Sequence, residues 1–90
     1  MSIERKYKDP DEVISFGVDW SEYLGAETVT SSDWTVASGV TKVGQTLVGK
    51  QANVTISGGT LGTVNRITNR ITTSAGETVD QSIDIEIIVK

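Results

Sequence analysis

Apolar residues return at every second position along much of this chain. Ile14, Phe16, Val18 and Trp20 alternate with polar or small residues, which puts them on one face of a half-buried strand. Ala52, Val54 and Ile56 alternate in the same way with Asn53, Thr55 and Ser57. Residues 29–36 read as a further strand, with Trp34 and Val36 sharing a face. Residues 40–48 predict one or two weaker strands around Gly44, at a sheet edge. Helical periodicity is missing; residues 20–24 allow about one turn. Ser57-Gly58-Gly59-Thr60-Leu61-Gly62 reads as a loop, with Leu61 expected to tuck beneath it as an anchor.

The C-terminal third supports a sharper deduction. Two strands, roughly 64–73 and 77–89, flank Ser74-Ala75-Gly76. If Thr73 pairs with Glu77, Gly76 falls at the left-handed position of a type I turn with a glycine bulge. Ile71 then faces Val79 and Ile67 faces Ile83. On the other side Arg70 meets Asp80 and Arg66 meets Asp84, while Thr72 meets Thr78 and Thr68 meets Ser82. A one-residue slip would place both arginines beside the apolar row, so the pairing fixes its own register. Asn69 and Gln81 fall opposite each other on the apolar side and need hydrogen-bond partners if buried.

About six or seven strands in this order, closed by a long hairpin, predict an all-β fold. The expected architecture is an immunoglobulin-like antiparallel β-sandwich, with a small barrel as the alternative. Residues 12–90 form the single domain in this reading. Residues 1–11 are charged, end at Asp9-Pro10-Asp11-Glu12, and read as an extended N-terminal arm or a frayed terminus. The arm residues Ile3, Arg5, Lys6, Tyr7, Lys8, Asp9 and Pro10 are the candidate docking site.

Composition narrows the function. The chain has 90 residues, no cysteine and no histidine. Disulfides, thiolate chemistry, and Ser–His or Cys–His catalysis are thereby excluded, and the commonest metal ligands are missing. Eight basic against twelve acidic residues give a net charge of -4, which does not favour a phosphate-backbone partner. No apolar run is long enough to span a membrane, and the N-terminus lacks the apolar region of a signal peptide. The expectation is a chain that stays soluble in the cytoplasm or joins a larger particle, binding neither nucleic acid nor membrane.

Each candidate site has a plainer reading. Asp9, Asp11 and Glu12 are close enough to share a cation but lack calcium-loop spacing, so a solvated turn is expected. Asp80 and Asp84 could pair as catalytic carboxylates, yet their arginine partners account for them. The Gly58-Gly59 loop resembles a phosphate cradle without the helix or lysine one needs. The sequon at Asn53 carries no weight without a secretory signal. The near-repeat from Arg66 to Thr72 suits strand pairing better than a basic recognition stripe. Trp20, Tyr23 and Trp34 could form a sugar-stacking platform, although core packing suits the tryptophans better. No catalytic residue, cofactor or metal site is expected.

Two strings carry a family resemblance. Lys8-Asp9-Pro10-Asp11-Glu12-Val13 followed by Gly17-Val18-Asp19-Trp20 resembles the opening of small tailed-bacteriophage proteins of the fiber–tail adaptor type. Ser57-Gly58-Gly59-Thr60, then Thr68-Asn69-Arg70-Ile71-Thr72-Thr73 and Gly76, is similar to the same family. The likeness runs from about residue 8 to residue 89. It departs at Val64-Asn65, where an aromatic residue is expected, and over 40–50. The resemblance implies a β-sandwich that joins or decorates parts of a phage particle by protein–protein binding. Its partners would be other phage structural proteins, met in multiple copies on a symmetric virion. The alternative is a carbohydrate-binding module on the virion surface.

Overall fold

The computed structural model describes residues 4–90, and Ile3 lies outside them. Seven strands make two sheets that face each other across one apolar core. The strands are β1 (Glu4–Lys8), β2 (Ile14–Asp19), β3 (Val29–Val36), β4 (Val40–Val48), β5 (Gln51–Gly58), β6 (Val64–Thr73) and β7 (Thr78–Ile87). One helical turn, α1 (Ser21–Leu24), follows β2. One sheet has the order β1-β7-β6-β3 and the other β2-β5-β4. The split into β2, β5 and β4 on one side and β3, β6 and β7 on the other makes a β-sandwich, and its strand order is compatible with an immunoglobulin-type one.

The two-residue period decides what the core contains. Ile67 and Ile71 on β6, with Ile83, Ile85 and Ile87 on β7, turn inward and are buried. They meet Phe16, Val54, Ile56 and Ala52 of the opposing sheet. Burying each isoleucine stabilises the fold by about 1.5–3 kcal/mol. Two tryptophans complete the core, Trp20 just after β2 and Trp34 on β3.

The closing hairpin has the expected register. Arg66 stands opposite Asp84, Ile67 opposite Ile83, Asn69 opposite Gln81, Arg70 opposite Asp80 and Ile71 opposite Val79. The turn N–H of Thr73 donates to Glu77 C=O at 2.8 Å, and the Gly76 N–H donates to Thr73 C=O at 2.9 Å. Gly76 has φ of +85°, a conformation that costs other residues energy. The second strand is shorter than expected, ending at Ile87 rather than 89.

Residues 40–48 form a single strand at a sheet edge, within the sequence expectation, with a bulge between Lys42 and Gly44. Two other features differ from the sequence reading. Leu61 does not anchor its loop and stands 56% exposed. The backbone of Gly59 takes that place, lying so close to Ile87 that an added Cβ would meet the isoleucine side chain. Residues 4–8 are an edge strand of the larger sheet, running parallel to β7, where the sequence suggested an arm ahead of the domain. Arg5 and Tyr7 fall on the outer face beside Asp84 and Glu86, while Glu4, Lys6 and Lys8 fall on the inner side.

Candidate docking surfaces

A sandwich offers a partner its outer faces, its ends and its four edge strands. On the outer face of the larger sheet, charges are matched in pairs. Arg66 Nε lies 2.8 Å from Asp84 Oδ1, and Arg70 Nε lies 2.8 Å from Asp80 Oδ1. Second guanidinium nitrogens complete both forks, at 3.3 Å and 3.0 Å. Hydrogen bonds from these arginines hold the Asp84 and Asp80 carboxyls below the ordinary carboxylate range. Arg5 extends the row to Glu86 at 3.0 Å. Both aspartates thus have the arginine partners that the strand register assigns to them.

All eight basic side chains are engaged. Six make ion pairs with carboxylates. Lys50 donates to the Gly25 carbonyl. Lys8 is fully buried and donates to Asp9 C=O at 2.9 Å and Gly58 C=O at 2.6 Å. The excess negative charge therefore resides on carboxylates without a basic partner among the described residues. Asp9 and Asp11 belong to the turn after β1, and Asp19, Glu22, Glu27 and Glu77 lie at the end of the sandwich that holds α1 and the β6–β7 turn.

The candidate docking residues divide sharply. Arg5, Lys6 and Tyr7 are exposed on β1, with Tyr7 at 49%. Lys8 belongs to the interior. Asp9 and Pro10 start a tight turn, half-buried. Asp9 Oδ1 accepts the Asp11 N–H at 3.0 Å and Asp9 Oδ2 accepts the Lys90 N–H at 3.2 Å. Those backbone donors hold the Asp9 carboxyl below its usual range. Glu12 accepts the Asp9 N–H at 2.8 Å and pairs with Lys90 Nζ at 3.0 Å, and its carboxyl is lowered by the same contacts. The Asp9–Glu12 cluster is thus a clasp for the C-terminus, and among the described residues no group of carboxylates is arranged to hold a metal ion.

A family model described as podophage GP4 fiber-tail adaptor protein gp77 matches residues 8–86. The chain belongs to this fiber–tail adaptor family. No curated protein matches it. Membership makes this adaptor a structural part of the phage particle. Of its three candidate sugar-stacking residues, Trp20 and Trp34 are 1% and 2% exposed, which leaves Tyr23 as the single ring at the surface. Tyr23 packs edge-on against Trp20, with ring centroids 5.7 Å apart.

The adaptor treats its edges unequally, a difference that no local residue pattern marks. The free edge of β3 is sealed by side chains from β4. Gln45 Oε1 accepts the Trp34 N–H at 3.1 Å, Gln45 Nε2 donates to Ser32 C=O at 3.2 Å, and Lys42 Nζ donates to Trp34 C=O at 2.9 Å. One carboxamide thereby imitates a neighbouring strand. β4 carries its own bulge and Lys42. β1 turns three charged residues inward. Each device discourages unplanned strand pairing.

Proposed function

We propose that this adaptor works entirely by protein–protein binding, joining fiber to tail in a podophage particle. The family match over residues 8–86 is the observation that carries this reading. The accessible part of β1 supports it. Arg5 and Tyr7 are exposed on the outer face of this sheet edge and Lys6 on its other side, and edge strands with a large aromatic side chain are common docking elements. Residues 1–11 serve as the attachment segment, of which residues 4–11 are held against the domain by Lys8 and the Asp9–Glu12 turn. Copies repeated around a symmetric tail add avidity to contacts that are weak singly. The net charge of -4 favours neither a nucleic-acid backbone nor an anionic membrane surface as the partner.

The test must leave the fold intact. Deleting residues 2–8 would remove β1 and the buried Lys8 together, so surface substitutions are the better probe. Particles assembled with Lys6→Glu and Tyr7→Ala should retain tails and lose fibers, as counted by electron microscopy. Full fiber occupancy in particles from which the chain has been deleted would sink the adaptor role. Full occupancy with the double variant alone would sink the role of β1.

A further inference from the structure

We infer that the free edge of β2 receives an extended, lysine- or arginine-bearing segment of a partner protein, which adds to the β2-β5-β4 sheet as a fourth strand. This inference rests on the adaptor reading above and adds to β1 a second docking edge with a basic partner.

The topology leaves the place open. In a constant-type immunoglobulin sandwich the first strand lies beside the second, completing a four-stranded sheet. Here β1 lies against β7 instead, and β2 pairs with β5 alone among the described residues. The backbone is correctly poised. The Trp20 N–H donates to Lys50 C=O at 2.9 Å, continuing the register in which Asp19 faces Gln51. In an antiparallel ladder this phase directs the N–H and C=O groups of Ile14, Phe16 and Val18 toward β5. Those of Ser15, Gly17 and Asp19 then point away from the sheet.

β2 is also the unguarded edge. It has no bulge, no proline and no lysine, and its central residues Ile14–Val18 carry no charge. The other three edges have the side-chain seal, bulge or inward charges described above. A hollow of about 620 Å³ lies beside it, between β2, α1 and the first residue of β1. Val18, Tyr23 and Gln81 contribute to its wall. An added strand can therefore bury side chains as well as hydrogen-bond. Glu4, Asp19 and Glu22 stand on the rim, and Asp19 and Glu22 have no basic partner among the described residues. Charge complementarity selects a basic segment, and backbone pairing supplies affinity, as in other strand-addition complexes.

Amide hydrogen exchange on the isolated chain and on the assembled particle tests this. The Ser15, Gly17 and Asp19 amides should exchange fast in isolation and slow by roughly two orders of magnitude in the particle. Ser15→Pro removes a donor outside the β2–β5 ladder, so the chain should still fold and its incorporation into particles should drop about tenfold. Glu22→Lys should reduce incorporation too. Unchanged exchange at these amides in particles that contain the chain would overturn the β2 site and leave the adaptor role standing. Absence of the wild-type chain from particles would overturn both. Protection that appears in the isolated chain and grows with concentration would overturn the proposal in favour of self-pairing.

Discussion

The indole N–H of Trp20 donates to Oδ1 of Asn69 at 2.9 Å, tying the smaller sheet to the larger one through the middle of the core. Asn69 is fully buried, and its amide nitrogen donates to Ser32 Oγ at 3.0 Å and Asp33 C=O at 3.1 Å. One side chain thus satisfies three groups on two other elements. Asn69→Ala strands a buried indole donor and should cost about 2–4 kcal/mol in urea unfolding. Thr68→Ala, one residue away on the outer face, should cost less than about 1 kcal/mol.

The two tryptophans provide an internal comparison. They are similarly buried, but the Trp34 indole N–H has no hydrogen-bond partner among the described residues. Replacing either by Phe leaves a comparable void. Trp20→Phe additionally deprives Asn69 Oδ1 of its donor, whereas Trp34→Phe removes a donor that was already unpaired. Trp20→Phe should therefore be the more destabilising, by about 1–2 kcal/mol. Equal losses in matched unfolding curves would refute this account of Asn69.

Lys8 shows how a charged residue can hold a sheet edge in place. It leaves β1 on the inner side and reaches two carbonyls, one of them Gly58 at the end of β5. Lys8→Ala removes the stem and strands both acceptors, for a loss of about 2–4 kcal/mol. Lys8→Met keeps most of the stem and should lose less. A melting temperature unchanged by Lys8→Ala would mean that β1 is not secured in this way.

What could be read from residues alone follows contact distance along the chain. The β6–β7 hairpin was legible to the residue because turn chemistry, apolar pairing and opposite charges lie within twenty positions of one another. β2, β3 and β5 were legible from alternation. β1 was not, since its partner is remote: Arg5 and Glu86 stand 81 positions apart. Its inner side is also polar, so no apolar period marks it as a strand. The sealing of β3 by Gln45 depends on how the two sheets meet, which no local pattern encodes. The open β2 edge was equally hidden, because it follows from where β1 goes.

Gly76 is the position where backbone conformation dictates the residue. At φ +85° an added Cβ meets nothing, so the cost of substitution is conformational and not steric crowding by neighbours. Gly76→Ala should lose about 1–2 kcal/mol. Gly76→Asn should lose less, because Asn tolerates left-handed backbone better. The ordering Ala worse than Asn, read from melting curves, checks the turn geometry directly.

Acid should weaken the fold over a defined range. The carboxyls of Asp9, Glu12, Asp19, Asp80 and Asp84 are all lowered from values of 3.8 for Asp and 4.5 for Glu. A lowered carboxyl favours the folded state while ionised, so its contribution is present above the unfolded value. That contribution is lost as pH falls through the folded value. Melting temperature should hold steady from neutral pH to about pH 5 and then decline below about pH 4.5. No histidine is present to add a step near pH 6.5. In all five groups the largest cause is a hydrogen bond, ahead of Coulombic attraction. Asp9, Glu12 and Asp19 are lowered chiefly by backbone N–H donors, whereas Asp80 and Asp84 are lowered by exposed arginines that salt screens. In about 0.5 M salt the acid limb should therefore shrink but persist. Replacing both Arg66 and Arg70 with Gln should shrink that limb, because Asp80 and Asp84 then lose the donors that lower them.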